Sequence, residues 1–168
     1  TLSKDGNPEL YLLALKDGSL TRLTRNSAVD TSPTWSPNGR EIAFVSDRAG
    51  SPQVYVVDRE GVNLRRLTYS GSYNTSPAWS PQGDRIAYVS MMSGRGEIFT
   101  ISPTGSGMRR LTYTGGNEDP TWSPDGRYLA FSGKRNGKRD IYLMRSDGAG
   151  IKQVTFGGGD NMSPAWSS

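Results

Sequence analysis

The side chains in this sequence that could do chemistry are four carboxylates, each placed shortly before a recurring tryptophan motif. Carboxylates combined with loop carbonyls suit a hard cation such as Ca²⁺, so we consider four acids as candidate metal ligands: Asp30, Glu118, Asp119 and Asp160. The opposing interpretation is four solvated acids that repel one another weakly, and we favour it. The sequence therefore predicts no bound metal and no cofactor.

No residue pattern in the sequence is typical of a catalytic centre. The chain has no His and no Cys, which removes the commonest general base and the thiolate nucleophile. No Asp or Glu pair occupies a catalytic motif. Gly157-Gly158-Gly159 follows a strand without opening a helix, so it does not match a phosphate-binding loop. The sequence predicts a protein that is not an enzyme.

The elements that position the four acids belong to an internal repeat. A Ser/Asp-Pro-x-Trp-Ser motif recurs at intervals of 44, 43 and 44 residues, and a Leu/Val-Thr pair recurs in step with it. Two markers with one period exclude coincidence. The motif tryptophans are Trp35, Trp79, Trp122 and Trp166, and the pairs begin at Leu23, Leu67, Leu111 and Val154.

Each repeat contains four short runs rich in Val, Ile, Tyr and Phe, a composition typical of β-strands. In the first complete repeat these runs are 32–36, 41–46, 53–57 and the segment that ends at Thr68. Four strands in about 43 residues are typical of a propeller blade, whereas the frequent Pro and Gly exclude a helical solenoid. The sequence predicts an all-β fold, a β-propeller built of four-stranded antiparallel blades.

The phase of the repeats divides the chain, which we interpret as a fragment of one propeller spanning 1–168. Residues 1–31 align with the outer strands of an incomplete blade, and residues 163–168 align with an inner strand. We expect this last strand to complete the first blade, in the same chain or a neighbouring one, as in a closed ring. Three whole blades are predicted between them: 32–75, 76–118 and 119–162.

The charge and hydropathy patterns limit the classes of partner that the protein is expected to bind. Lys and Arg exceed Asp and Glu by a net charge of +4, and the basic residues are scattered. We therefore favour an ordinary solvated surface over nucleic-acid binding. No stretch reaches the roughly 18 apolar residues of a membrane span, so no membrane insertion is predicted.

The segments 32–48, 52–58 and 64–68 resemble the propeller repeats of the TolB family, and the resemblance extends along essentially the whole chain. It implies a six-bladed ring behind a small N-terminal domain, located in the periplasm as part of the Tol-Pal envelope-integrity system. It also implies docking of the peptidoglycan-associated lipoprotein, Pal, at the propeller mouth, and of colicins in some species. Contact with TolA would use an N-terminal segment absent here.

The strand order places the loop before each inner strand at the rim of the central channel, where binding usually occurs. The rim segments carry acids, whereas the outer loops on the same face, between the second and third strands, are basic or mixed. We therefore expect an acidic mouth inside a basic collar formed by residues 4–6, 47–48, 95 and 134–139. Asp and Asn at such positions can also serve only to cap turns; for the rim as a whole, the resemblance favours binding. The candidate partner-binding residues are Asp30, Thr31, Ser32, Asn74, Thr75, Ser76, Glu118, Asp119, Asn161 and Met162.

Two other functions remain open for a repeat of this kind. Peptidase-associated propellers carry a similar repeat, so a regulatory, substrate-gating propeller of a serine peptidase is one alternative. A polysaccharide-binding periplasmic propeller is the other, and it would display exposed aromatic residues at its mouth, for which Tyr69, Tyr73 and Tyr113 are candidates.

Overall fold

The computed structural model describes residues 1–4, 6–92 and 94–167. Within these residues the chain is all-β, without a helix, and fourteen strands form one two-stranded and three four-stranded antiparallel sheets. The strands are β1 (Tyr11–Leu13), β2 (Leu20–Arg22), β3 (Asp30–Trp35), β4 (Glu41–Ser46), β5 (Gln53–Asp58), β6 (Arg65–Arg66), β7 (Asn74–Trp79), β8 (Ile86–Ser90), β9 (Glu97–Ile101), β10 (Arg109–Arg110), β11 (Asn117–Trp122), β12 (Tyr128–Arg135), β13 (Lys138–Arg145) and β14 (Lys152–Gln153).

Each four-stranded sheet is one propeller blade whose strands follow the order of the sequence. The first blade is β3 to β6, the middle blade β7 to β10 and the third blade β11 to β14. The strand β7 contacts both β3 and β11, which identifies the first strand of each blade as the innermost one. The predicted all-β fold of four-stranded antiparallel blades is therefore confirmed.

A tight turn links the first two strands of each blade. In the first blade the amide of Gly39 donates to the carbonyl of Ser36 at 2.9 Å. Gly39 has a φ of 66°, a left-handed conformation that costs glycine little. Equivalent bonds run from Gly83 to Ser80 and from Gly126 to Ser123. The Pro-x-Gly sequence therefore sets the inner hairpin of every blade.

The inner strands begin two residues earlier than the sequence predicted. Asp30 starts β3 because it pairs with Ser46 of β4, and β7 and β11 begin in the same way. A register shift, typical of a β-bulge, follows in each inner strand. The residue just before the proline has a left-handed φ: 52° at Ser32, 51° at Ser76 and 53° at Asp119. Residues assigned to rim loops therefore lie on strands.

The hydrophobic core lies between blades. Val54, Val56 and Leu67 of the first blade form one buried cluster with Ile86 and Tyr88 of the middle blade. A second cluster joins the middle and third blades, and a third joins Leu10 and Leu23 beside β1 and β2 to the first blade. The strands β4, β5, β8 and β9 are buried at nearly every position, which explains their continuous apolar sequence.

The two ends of the chain do not pair with each other. Among the described residues, 163–167 form no strand, and no contact links β1 or β2 to the third blade. Instead, Trp166 Nε1 donates to the carbonyl of Thr121 at 3.3 Å, so the segment lies against the third blade. The predicted closing strand is therefore wrong within one chain, because each repeat packs only against its neighbours. Ser168, the last residue of the predicted strand, lies outside the described residues.

The described residues contain no helix with the length and hydropathy of a membrane span.

Candidate partner-binding mouth

Four rim positions bridge consecutive repeats through the backbone. The amide of Asn74 donates to the carbonyl of Pro52 at 2.9 Å, and the amide of Asn117 donates to that of Gly96 at 2.9 Å. Each bond joins the start of an inner strand to the preceding repeat. The same bond recurs four times and defines the bridging residues: Asp30, Asn74, Asn117 and Asn161.

The side chains of the bridging residues reinforce these bonds. Asn74 Nδ2 donates to Gln53 Oε1 at 2.8 Å, and Asn117 Nδ2 donates to Glu97 Oε2 at 2.7 Å. In the third blade Asn161 Nδ2 donates to Asp140 Oδ1 at 3.1 Å. Asn74 is fully buried, so its predicted position on the mouth surface is wrong: hydrogen bonding between blades occupies its side-chain nitrogen.

Asp30 has the same buried position and a charged partner. Arg48 NH2 contacts Asp30 Oδ1 at 3.1 Å and Oδ2 at 3.0 Å, while Arg48 Nε donates to Ser46 Oγ at 2.8 Å. The guanidinium also lies 5.0 Å from the ring centroid of Tyr55. Asp30 is fully buried and both of its carboxylate oxygens bond to Arg48, so this acid stabilises the blade and its predicted contact with a partner is wrong.

Two further rim acids, Glu118 and Asp160, are also engaged. Glu118 pairs with Arg139, and the hydrogen bond that the Arg139 guanidinium donates to the Glu118 carboxylate raises the pKa of Arg139 above its ordinary value. Asp160 Oδ1 accepts a bond from the Arg139 amide at 2.9 Å. The predicted acidic mouth inside a basic collar is wrong for Asp30 and Glu118, because a collar arginine neutralises each of these two acids.

The candidate Ca²⁺ ligands do not form a metal site. Among the described residues, no three acidic side chains lie close enough together to hold a metal ion. Asp30 forms an ion pair with Arg48, and Glu118 forms an ion pair with Arg139. The hypothesis that Asp30, Glu118, Asp119 and Asp160 bind Ca²⁺ is therefore wrong.

Side chains beyond the bridging residues remain accessible at the mouth. Ser32 and Met162 are exposed, and Glu118 is half-buried. Asn161 is also half-buried but is tied to Asp140. Bulged inner strands hold most of these positions on a rigid framework. We call the accessible set the mouth residues: Thr31, Ser32, Thr75, Ser76, Glu118, Asp119 and Met162.

The motif tryptophans lie at the opposite end of the inner strands. Trp122 Nε1 donates to the carbonyl of Ala78 at 3.0 Å, one blade earlier. Trp79 is buried, whereas Trp35 is 49% exposed, so the motif tryptophan is not part of the core in every repeat. Trp35, Trp79 and Trp122 line a cavity of about 280 Å³ between the turns.

Several polar residues that organise the mouth were not predicted from the sequence as functional residues. These are the side chains that open the third strand region of each repeat: Glu9, Gln53, Glu97 and Asp140. Arg48 and Arg135 lie in the predicted basic collar, but their bonds to Asp30 and Asn117 were not predicted. A regular spacing in the sequence could have identified Glu9, Gln53, Glu97 and Asp140, because each precedes the threonine of its Leu/Val-Thr pair by 15 residues.

The fold and the mouth define the class of the protein: an all-β propeller whose inner strands are bridged by buried polar residues at one face. The model of the TolB beta propeller domain family matches residues 1–168, and the chain belongs to this family. A 48-residue stretch is 52% identical to the Protein TolB homolog of Chlorobium chlorochromatii and covers 29% of this chain and 11% of that protein.

Two solved structures are similar over most of the chain. TolB from Acinetobacter baumannii superposes with a TM-score of 0.86 at 30% identity, covering 96% of this chain and 41% of that one. The putative TolB from Agrobacterium tumefaciens gives a TM-score of 0.82 at 26% identity, covering 90% of this chain and 56% of that one. The chain thus spans about half or less of each of these proteins.

Proposed function

We propose that this chain is the protein-docking part of a non-enzymatic, periplasmic propeller of the Tol-Pal system. Its mouth would receive the peptidoglycan-associated lipoprotein, Pal, and colicins would compete for the same face. The observation that carries the proposal is the position of the mouth residues: all except Met162 directly follow the bridging residues on three consecutive inner strands. Membership of the TolB family supports it.

The rigidity of the mouth suits docking of a folded protein. Each inner strand is fixed by a backbone bond to the preceding repeat and by pairing with its own second strand. Side chains such as Thr31 and Thr75 therefore lose little conformational entropy when a partner binds. Loops and strand ends that a rigid scaffold brings to one face are the usual location of binding sites.

The charge distribution favours a specific rather than a purely electrostatic contact. Asp30 and Glu118 are paired with arginines, so the mouth does not present a strong field of one sign. Hydroxyl and backbone groups at Ser32, Ser76 and the adjoining bulges then contribute directional hydrogen bonds. Such groups fix orientation at an interface more than they increase raw affinity.

A titration of the full-length protein with the soluble Pal domain tests the proposal. Thr31→Lys should weaken binding by about 1–3 kcal/mol, because it places a long charged side chain at the centre of the contact. Met108→Lys is the matched control: Met108 is exposed in the β9–β10 loop at the opposite face. Equal dissociation constants for the two variants would contradict the proposed docking face.

A further inference from the structure

One collar position contains arginine in the first and third blades and methionine in the middle blade. The equivalent residues of the three blades are Arg48, Met92 and Arg135. Each lies two residues after the second-strand residue that pairs with the bridging residue of the inner strand. These pairs are Asp30 with Ser46, Asn74 with Ser90 and Asn117 with Gly133. The middle blade therefore differs from its neighbours at one defined site.

The two arginines satisfy buried acceptors of the bridging residues. Arg48 bonds to both carboxylate oxygens of Asp30 and to Ser46 Oγ. Arg135 NH2 donates to Asn117 Oδ1 at 2.8 Å. Both guanidinium groups lie 5.0 Å from an aromatic centroid, over Tyr55 and Tyr142 respectively. Each arginine thus combines hydrogen bonding with a cation–π contact.

The middle blade keeps the acceptors and the rings but not the donor. Asn74 Oδ1 and Ser90 Oγ are the described buried side-chain atoms without a hydrogen-bond partner. They correspond to the Asp30 and Ser46 oxygens that Arg48 contacts. The rings of Tyr88 and Phe99 lie 5.8 Å apart at 31°, close to the 5.9 Å and 33° of Phe44 and Tyr55.

The orientation of Asn74 is fixed by its other contacts. Its Nδ2 donates to Gln53 Oε1 at 2.8 Å and to the carbonyl of Ser70 at 2.9 Å. The Oδ1 atom therefore points away from these acceptors. A Cβ added at Gly71 would lie 2.7 Å from Ser90 Oγ, 3.4 Å from Asn74 Oδ1 and 3.4 Å from Met92 Cγ. Gly71 thus borders a site that the Met92 side chain covers.

We propose that this site in the middle blade receives an arginine side chain from a protein docked at the mouth. The proposal rests on the proposed function, and it specifies the chemistry of the partner residue. A guanidinium supplies several donors in one plane and stacks on aromatic rings, whereas an ammonium is a compact, strongly hydrated charge. Met92 is 51% exposed, and its flexible, unbranched side chain can rotate to admit the group.

The site selects a guanidinium through hydrogen bonding more than through charge. Its bridging residue is Asn74, where the first blade has Asp30, so no buried carboxylate adds a charge pair. An isolated arginine should therefore bind weakly, and the docked protein would supply the remaining affinity by holding the side chain in place.

Nuclear magnetic resonance of the folded protein tests the proposal without any protein partner. The probe is N-acetyl-arginine N′-methylamide. The matched control is the citrulline analogue, which has a similar shape but carries no charge and has a carbonyl acceptor in place of one NH₂ donor group. We expect saturable shifts of the Asn74 side-chain amide and the Gly71 backbone amide with the arginine probe. The apparent affinity for the citrulline probe should be at least threefold weaker.

Variants of this chain separate the site from non-specific binding. Met92→Arg should abolish the saturable shifts, because its own guanidinium occupies the acceptors, and Met92→Ala should strengthen binding at least twofold. Ser90→Ala, which removes one acceptor without adding bulk, should weaken it at least twofold. No saturable shift in the wild type and in Met92→Ala would overturn the proposal, as would equal binding by Met92→Arg. The Pal titration is a separate measurement, so either proposal can fail alone.

Discussion

The side-chain amide of Asn117 donates to Glu97 Oε2 at 2.7 Å and so joins two adjacent blades. Both residues are buried. Glu97 accepts three further bonds at this point, from Arg110, Thr112 and the Gly115 amide. The carboxylate therefore joins the outer strands of the middle blade to the inner strand of the third. Similar contacts recur around the arc, with glutamine at Gln53 and aspartate at Asp140.

Asn117→Ala should lower the free energy of unfolding by about 2–3 kcal/mol, because Glu97 loses a buried donor and Arg135 loses an acceptor. Urea denaturation at neutral pH measures the change. Glu97→Gln is the control, since glutamine fills the equivalent position at Gln53, and it should cost less than Asn117→Ala. A larger loss for Glu97→Gln would contradict the role assigned to the amide.

Acid should destabilise the protein partly through Glu9. Burial alone raises the pKa of this carboxyl, but hydrogen bonds from the Asn26 backbone and from the side chains of Thr24, Arg22 and Asn7 hold the pKa below its usual value. Its stabilisation is therefore present above the unfolded-state pKa, roughly 4.3, and is lost as the pH falls through the lower folded-state pKa. The free energy of unfolding should fall less between neutral and acidic pH in Glu9→Gln than in the wild type. Equal slopes would rule out this contribution.

Glu118→Lys should weaken binding of the Pal domain by about 1–3 kcal/mol, because it replaces an ion pair with Arg139 by like-charge repulsion at the mouth. Glu60→Lys makes the same charge change in the β5–β6 loop at the opposite face, where Glu60 is exposed and pairs only with neighbouring Arg59 among the described residues. Calorimetric titration at low and high ionic strength measures both. Comparable losses would place the interface elsewhere.

Met92→Arg should raise the free energy of unfolding by about 1–2 kcal/mol, because the new guanidinium can bond to Asn74 Oδ1 and Ser90 Oγ as Arg48 does in the first blade. Met162→Arg adds the same side chain at another exposed methionine of the rim and should leave stability nearly unchanged. Thermal and urea unfolding of the two variants distinguish a specific effect from the added charge.

Short-range patterns in the sequence were sufficient to predict the fold. The Pro-x-Gly turns and the continuous apolar runs, such as Ile42 to Val45, depend only on local conformation and on burial between sheets. The period then specified the blade. The inner-strand start was missed because the bulge at Ser32, with its left-handed φ of 52° before a proline, is unfavourable by local propensity and is held by tertiary pairing.

The mouth was predicted less well than the fold. A polar residue before an inner strand can either face solvent or bridge to the previous blade, and composition does not separate the two. Asp30 and Asn74 are bridging, whereas Thr31 and Thr75, one position later, are accessible. The arginine partners were missed because Arg48 and Arg135 lie 18 residues from their acceptors, on a loop and a strand end whose direction depends on the folded blade.

The bridging residues also determine how the row of blades unfolds. Since each one ties an inner strand to the repeat before it, the cooperative unit straddles two sequence repeats, and stability behaves as a chain of nearest-neighbour couplings. Separation of two consecutive repeats therefore breaks one of these couplings and leaves the other blades folded. Amide hydrogens of β8 and β9, flanked by a coupled repeat on each side, should therefore exchange most slowly, with protection decaying towards β1 and β14.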